Sequence, residues 1–493
     1  VSATWASDDV TPPDARAWDL LVVGGGTAGI VAARTAAGFG ASVLLVERDR
    51  IGGDCLWTGC VPSKALLAAA HTAADARASG RFGVHTGAVQ VDFAAVMAHV
   101  RSRIAAIEPD DAPDTLRGSG TRVVRAQARF TDADEVELVS DGAAHRVRFR
   151  QAVVATGSQP LVPSVPGLAA AQPLTSDSVW DLTELPARLL VLGGGSIGCE
   201  LGQALARLGS AVTLVEAADH LLPREDPDAA RRLQQALEAD GVDVRLGTPL
   251  TRVEPAGSGG TAYLRNGDAV AFDRVLVAVG RRPRTEGLGL DAAGIELDER
   301  GFVRVDPGLH TTGARVWAAG DVTGHPAFTH VAGVHGSLAA ANAVLGLRRT
   351  VDLRAVPRVT YTRPEVASVG VGRHEIAQHP GTRVVTTEHA HVDRAVAELD
   401  TDGVTHLVLD RRGRVVGGTV VGPRAGESLA ELVLAVQHRL RARDLASAVH
   451  AYPTYGDGPW KSGISAVQES LRRQPTRTAI RALVALRRRR PPR

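Results

Sequence analysis

Two cysteines stand five positions apart in Gly52-Gly53-Asp54-Cys55-Leu56-Trp57-Thr58-Gly59-Cys60-Val61-Pro62-Ser63-Lys64. Such a pair can exchange two electrons as dithiol and disulfide, bind a soft metal, or simply be two buried thiols. In an unbroken helix they would lie ~7.5 Å apart along the axis, beyond the ~4.4–6.8 Å Cα separation usual for disulfides. Gly59 permits the distortion that would bring them together. Pro62 suits the first turn of a helix expected over 63–78, whose N-terminus would favour thiolate. Structural zinc usually takes four ligands, and the one other cysteine, Cys199, reads as a small buried side chain. Redox chemistry is therefore the preferred reading, with a metal site and a pair of buried thiols as its rivals.

The elements that must position this pair announce themselves as a repeat. Residues 20–49 read LLVVGGGTAGIVAARTAAGFGASVLLVERD, and residues 189–218 read LLVLGGGSIGCELGQALARLGSAVTLVEAA. Gly24, Gly26, Gly29 and Glu47 map onto Gly193, Gly195, Gly198 and Glu216 at a constant offset of 169. Each copy runs apolar strand, G-x-G-x-x-G, alanine-rich helix, apolar strand, acid. The first glycine makes the tight turn, the second lets a pyrophosphate approach the backbone, and the third lets the helix pack on the sheet. Phosphates then sit at the helix N-terminus, and the acid accepts from ribose hydroxyls. Two full copies predict two dinucleotides, such as a flavin and a nicotinamide. Glu216 favours NADH because it would repel a 2′-phosphate, although Arg224 nearby softens that preference.

The chain has 493 residues, 22% charged and 44% hydrophobic, which is globular composition with room for several domains. The expected fold class is α/β, with two doubly wound Rossmann-like dinucleotide-binding domains plus a C-terminal α+β domain. The expected division is a disordered segment over 1–16, a first nucleotide domain over 17–160 and 284–349, a second over 161–283, the α+β domain over 350–470, and a basic tail over 471–493. Apolar strands close the nucleotide segments at 152–157 and 275–280, and a third strand ends in an acid at 316–321. In the α+β domain, strands are expected at 404–410 and 414–421 and a helix at 428–439.

The overall charge of +2 excludes a general polyanion binder, and no nucleic acid partner is expected. That balance hides an asymmetry: the tail holds nine arginines and no acid, so the body has 47 basic against 54 acidic residues. The tail reads as a mobile solvated segment, or, through an apolar face at Ala479, Ile480, Leu483, Val484 and Leu486, as a contact for an acidic partner or a membrane surface. The N-terminal stretch lacks a basic and apolar leader, and no apolar run reaches the ~18 residues of a span, so a cytoplasmic protein is expected.

On these residues the chain resembles the FAD-dependent pyridine nucleotide–disulfide oxidoreductases, which include lipoamide dehydrogenase, glutathione reductase and mercuric reductase. The resemblance runs over about 17–470 and is most specific in C-x-x-x-x-C-V-P-S-K. It implies an FAD site at Gly24, Gly26, Gly29, Glu47, Gly53, Thr58, Gly59, Lys64, Thr156, Gly157, Asp321 and His330. It implies an NAD(P)H site at Gly193, Gly195, Ser196, Ile197, Gly198, Glu216 and Gly280. No resident metal is implied. Hydride from NAD(P)H would pass through flavin to a Cys55–Cys60 disulfide, with Cys60 as the thiolate beside the flavin and Cys55 facing substrate. Lys64 would place a cation near the flavin, paired with Glu200. The α+β domain would build a homodimer and turn Tyr452 and Asp457 toward the partner's thiols.

The departures bear on the acceptor. Family members acting on dithiols carry His-Pro-Thr-x-x-Glu, whereas this chain reads Tyr452-Pro453-Thr454-Tyr455-Gly456-Asp457. Tyrosine, with a pKa of ~10 against ~6.5 for histidine, is a poor proton shuttle at neutral pH. His450 would replace it only through a backbone shift. Arg284 stands where the family usually has asparagine. The expected function is an NAD(P)H-dependent flavoprotein reductase whose acceptor is a metal ion such as Hg(II), a quinone or another small molecule. The alternatives are a dihydrolipoamide dehydrogenase-type enzyme and a non-catalytic, redox-responsive flavin-binding partner protein.

Overall fold

The structure is a computed structural model that describes residues 7–14, 16–140, 142–472 and 474–488. It divides into two compact units, Val1–Gly193 with Arg207–Ala211 and Leu250–Asp352, and Gly194–Ala206 with Val212–Pro249 and Leu353–Arg493.

The first unit is organised by a seven-stranded sheet. Its order is Thr121–Arg125, Val43–Glu47, Trp18–Val23, Ala143–Val154, Glu135–Ser140, Gln127–Asp132, with Val316–Ala318 also pairing with Ala143–Val154. The strands nearest the glycine loop are parallel and strongly apolar, because one face is covered by the Thr27–Gly38 and Thr329–Leu345 helices and the other by residues of the antiparallel strands such as Phe130, Leu138 and Phe149. Trp317 pairs with Val153, so a segment far along the chain completes the first sheet. The Thr27–Gly38 helix buries Ala28, Gly29, Ile30, Ala32, Ala33 and Ala36. Small residues there allow close approach of the Thr329–Leu345 helix: a β-carbon on Gly336 would lie 2.2 Å from the Ala28 carbonyl oxygen. This explains why the segment is rich in alanine rather than leucine. The same unit holds the parallel pair Arg188–Leu192 and Arg274–Val277.

Residues 7–10 correct the expectation of disorder over 1–16. Asp8 accepts from the Val123 amide at 2.8 Å and from Arg117 at 2.9 Å, its own amide donates to the Val123 carbonyl, and the Trp18 indole donates to the Val10 carbonyl. Residues 1–6 and 15 lie outside the described residues.

The second unit carries a five-stranded antiparallel sheet, ordered Arg358–Thr360, Glu365–Gly370, Val415–Gly422, Val404–Leu409, Arg383–Glu388. The Ala425–Gln437 helix packs its Leu429, Leu432 and Ala435 against it. Strands and helix thus sit within a few residues of the expected 404–410, 414–421 and 428–439. Where the basic tail is described, Gln474–Arg488 forms a helix. Arg473, Arg489, Arg490 and Arg493 of the tail lie outside the described residues. Among the described residues no helix is long and apolar enough to cross a membrane.

Candidate active site

The cysteine segment is built from two helices and a break. Gly53–Trp57 ends at Thr58, and Cys60–Ala78 begins at the second cysteine, three residues earlier than expected. Gly59 makes the break with φ −121° and ψ −111°, and a β-carbon there would stand 2.8 Å from the Asp54 carbonyl oxygen. The Thr58 carbonyl accepts from the Trp180 indole at 2.9 Å, which fixes the break from outside. Cys60 is exposed and is the first residue of its helix, where the unpaired amides favour a thiolate. Cys55 is half-buried, and both cysteines are free thiols. The Cys55 thiol is pushed well above its usual range, first by its hydrogen bond with Cys60, then by burial and by the nearness of the Cys60 charge. The pair therefore releases its protons in two separated steps.

Sequence reasoning missed the neighbours of these thiols. The Thr329 hydroxyl lies 3.2 Å from the Cys60 sulfur, at the start of the Thr329–Leu345 helix. Asp54 is gripped by Arg281 and by Arg284, the latter at 3.3 Å, and Arg284 also reaches Asp177 at 3.5 Å. Arg281 donates to the Ser158 hydroxyl at 2.7 Å, and Ser158 donates to Asp321 at 2.7 Å. The Asp177 carboxyl is raised by burial and by the Asp54 charge, against the pull of the two arginines. Arg284, flagged in the sequence as a departure, is thus a tether for the residue before Cys55. Its main chain also engages the predicted flavin residues: Gly157 accepts from its amide, and the Thr156 hydroxyl donates to its carbonyl.

The two glycine loops are close copies. Gly24 and Gly193 turn with φ +110° and +105°, a conformation that favours glycine. Their β-carbons would stand 2.4 Å from the Ala155 carbonyl oxygen and 2.5 Å from that of Ala278. A β-carbon on Gly29 would come within 1.8 Å of the Gly24 oxygen, whereas Gly26 meets only the Gly53 α-carbon at 3.7 Å and Gly195 meets nothing within 4 Å. Gly24, Gly29 and Gly193 are closed by protein, Gly26 touches only the Gly53 α-carbon and Gly195 faces open space, which fits a pyrophosphate drawn against the backbone at the second glycine. Glu47 accepts from the Gly25 amide at 2.7 Å, and Glu216 accepts from the Gly194 amide at 2.6 Å. Both acids, which would accept from the ribose, are tied to the loop that would carry the pyrophosphate.

The remaining predicted residues fall as follows. His330 stacks on Phe328, and Gly280, with φ +139°, lies just ahead of Arg281. Ser196 hydrogen-bonds with Thr360, Ile197 is exposed, Gly198 is buried, and Cys199 is fully buried, as expected of a packed thiol. Glu200 accepts from the Tyr361 amide at 2.9 Å. Lys64 lies one turn into the Cys60–Ala78 helix. Tyr452 donates its hydroxyl to Asp393, which also accepts from Lys461 at 3.0 Å. Asp457 is fully buried, neither carboxylate oxygen has a hydrogen-bond partner, and burial raises its carboxyl. His450 is engaged through both ring nitrogens, with Glu431 at 2.9 Å and the Ala448 carbonyl at 3.0 Å, and stacks on Trp460.

Residues 18–336 match the pyridine nucleotide-disulphide oxidoreductase family, and residues 356–462 match that family's dimerisation domain. The chain belongs to the pyridine nucleotide-disulphide oxidoreductases. It is 37% identical over 450 residues to a mercuric reductase of Streptomyces lividans and 36% identical over 446 residues to a dihydrolipoyl dehydrogenase of Geobacillus stearothermophilus. Each alignment covers 89% of this chain and 94% of the relative. Among solved structures it is similar to LpdA from Mycobacterium tuberculosis, with a TM-score of 0.84 and 30% identity over 90% of this chain and 99% of that one. It is also similar to the HOCl-induced flavoprotein disulfide reductase RclA from Escherichia coli, with a TM-score of 0.80 and 28% identity over 90% of this chain and 98% of that one. This oxidoreductase is accordingly FAD- and NAD(P)H-dependent, and its α/β fold with a C-terminal dimerisation domain is that of the family.

Proposed function

We propose that this oxidoreductase passes electrons from NAD(P)H through a Cys55–Cys60 disulfide to a small acceptor that needs no histidine proton shuttle, a soft metal ion such as Hg(II) or a quinone. The observation that carries the reading is the state of the Tyr452 region. The tyrosine hydroxyl is committed to Asp393, and that carboxylate holds the phenol proton and raises its pKa. Asp457 is buried apart from it, and His450 has both ring nitrogens engaged. A dithiol substrate requires a base to take its proton, whereas two thiolates bind a soft metal ion directly.

FAD, when bound, supplies two-electron exchange between NAD(P)H and a disulfide. The loop at Gly24, Gly26 and Gly29, with Glu47, Gly53, Thr58, Gly59, Thr156, Gly157, Asp321 and His330, would hold it. The loop at Gly193, Gly195 and Gly198, with Ser196, Ile197, Glu216 and Gly280, would hold the nicotinamide cofactor, with NADH preferred. Cys60 carries the first negative charge of the reduced pair, steadied by its helix N-terminus and the Thr329 hydroxyl, and Cys55 keeps its proton until a soft metal ion binds its sulfur and displaces that proton to water. Asp54, held between Arg281 and Arg284, fixes the helix that presents Cys55. Lys64 would place a cation near the flavin and pair with Glu200. The domains of this reading are 17–160 with 284–349, 161–283 and 350–470, with a homodimer that brings the exposed Tyr452 to the partner's thiols while Asp457 stays buried in its own protomer.

The test is a steady-state acceptor comparison on FAD-loaded enzyme. Turnover of NADH with Hg(II) or a quinone should exceed dihydrolipoamide-dependent NAD+ reduction by at least ~10²-fold, the usual worth of a missing general base. Dihydrolipoamide oxidation as fast as the best of these acceptors, unaltered by Tyr452→His, would instead establish the dihydrolipoamide dehydrogenase-type reading that the second relative suggests.

A further inference from the structure

We propose that the Gln474–Arg488 helix is a docking element for an anionic lipid surface. It follows the dimerisation-domain match, which ends at 462. Ile480, Leu483, Val484 and Leu486 are 38%, 65%, 45% and 57% exposed, an apolar group left in water at helical spacing. At ~100° per residue, Ile480, Leu483 and Val484 share one face, and Leu486 widens it. Arg477, Arg481 and Arg488 fall within ~40° of arc along one flank of that face, and all three are exposed. Arg487 lies over the apolar face at its C-terminal end, where a long side chain can reach past apolar groups to headgroups.

Charge complementarity selects the partner. The segment 471–493 carries nine arginines and no acid on a body of opposite net charge. A polyanion such as nucleic acid would satisfy the arginines and leave the four apolar side chains in water. An anionic bilayer satisfies both, with the apolar face in the acyl boundary and the guanidinium groups among the phosphates. The 15-residue helix spans only ~22 Å, too short to cross a ~30 Å hydrocarbon core, so it would lie in the interface.

The experiment is vesicle flotation of the full-length, FAD-loaded enzyme. Vesicles of phosphatidylcholine alone are compared with vesicles containing three parts in ten phosphatidylglycerol. The enzyme should float with the anionic vesicles at least ~tenfold better than with the neutral ones, and less well in high salt. Ile480→Glu with Leu483→Glu, and separately Arg477→Gln with Arg481→Gln, should each reduce flotation at least ~tenfold. Both variants should keep the wild-type melting temperature and NADH oxidation in solution. Equal flotation with neutral vesicles, or none with either, would overturn the proposal. So would full binding by the glutamate variant, since attraction would then be to charge alone, as for a duplex DNA probe.

Discussion

The two glycine loops have nearly the same backbone and different surroundings. Both turn at a left-handed glycine against a carbonyl, and both tie their acid to the loop amide. The second glycine of the first loop faces Gly53, at the head of the helix that carries Cys55, and a β-carbon on Gly53 would stand 2.6 Å from the Gly26 α-carbon. The second glycine of the other loop faces nothing within 4 Å. One motif thus stands in two settings. On the proposed assignment the first loop, walled in by the redox segment, would hold a resident FAD, and the open second loop would hold a nicotinamide cofactor that enters and leaves.

That contrast can be broken most severely at Gly29. Gly29→Ala places a β-carbon where the Gly24 oxygen stands, so the first loop cannot close. Purified protein should lack flavin absorbance, at a cost of several kcal/mol to the folded loop (~3 kcal/mol or more). Stoichiometric FAD in that variant would show that the first loop does not hold it.

The wall of the first loop should also yield to acid. The Thr329–Leu345 helix backs that loop through Gly336, and beside it His335 is buried, with its pKa lowered to about 4, by burial first and by neighbouring His325 second. Its Nδ1 accepts from the Gly320 amide, a bond that protonation would break. The folded pKa lies below the unfolded value of ~6.5, so this stabilisation is complete above pH 6.5 and is lost as pH falls toward 4. It amounts to on the order of 3 kcal/mol over that window. FAD retention and melting temperature should fall together on acidification. His335→Gln should flatten that dependence, and an unchanged slope would count against the assignment.

A milder change sharpens the contrast from the other side. Gly195→Ala meets no atom within 4 Å, so the protein should fold and carry full FAD. Its KM for NADH should rise ~tenfold as the β-carbon occupies the pyrophosphate's approach. Loss of FAD in this variant would contradict the separate roles of the two loops. The smallest effect is expected at Thr329→Val, which removes the hydroxyl 3.2 Å from the Cys60 sulfur. The first thiol pKa, read from absorbance against pH, should rise by ~0.5–1 unit.

Much of this was legible in the chain because it is local. The offset of 169 residues carried strand, loop, helix and acid intact into the structure, since each piece depends on neighbours within about thirty positions. The long-range partners were hidden for the converse reason. Thr329 is 269 residues from Cys60, and Arg284 is 230 residues from Asp54. Arg284 could be noticed as unusual, but only the fold supplies its carboxylates. Pro62 does lie in the first turn of the second cysteine helix, but only the backbone at Gly59, which the sequence does not reveal, shows that the turn begins on Cys60. The N-terminal segment lacked periodicity, and its order over 7–10 comes from a strand edge and Arg117.

The central claim is that Cys55 and Cys60 relay the electrons. An anaerobic titration of the FAD-loaded enzyme with NADH, followed by visible absorbance, tests it directly. The expected result is a long-wavelength band from a thiolate beside oxidised flavin, present in the wild type after reduction of the disulfide and absent in that titration of Cys60→Ser. Bleaching of the flavin by the first two-electron equivalent, with no such band, would contradict it.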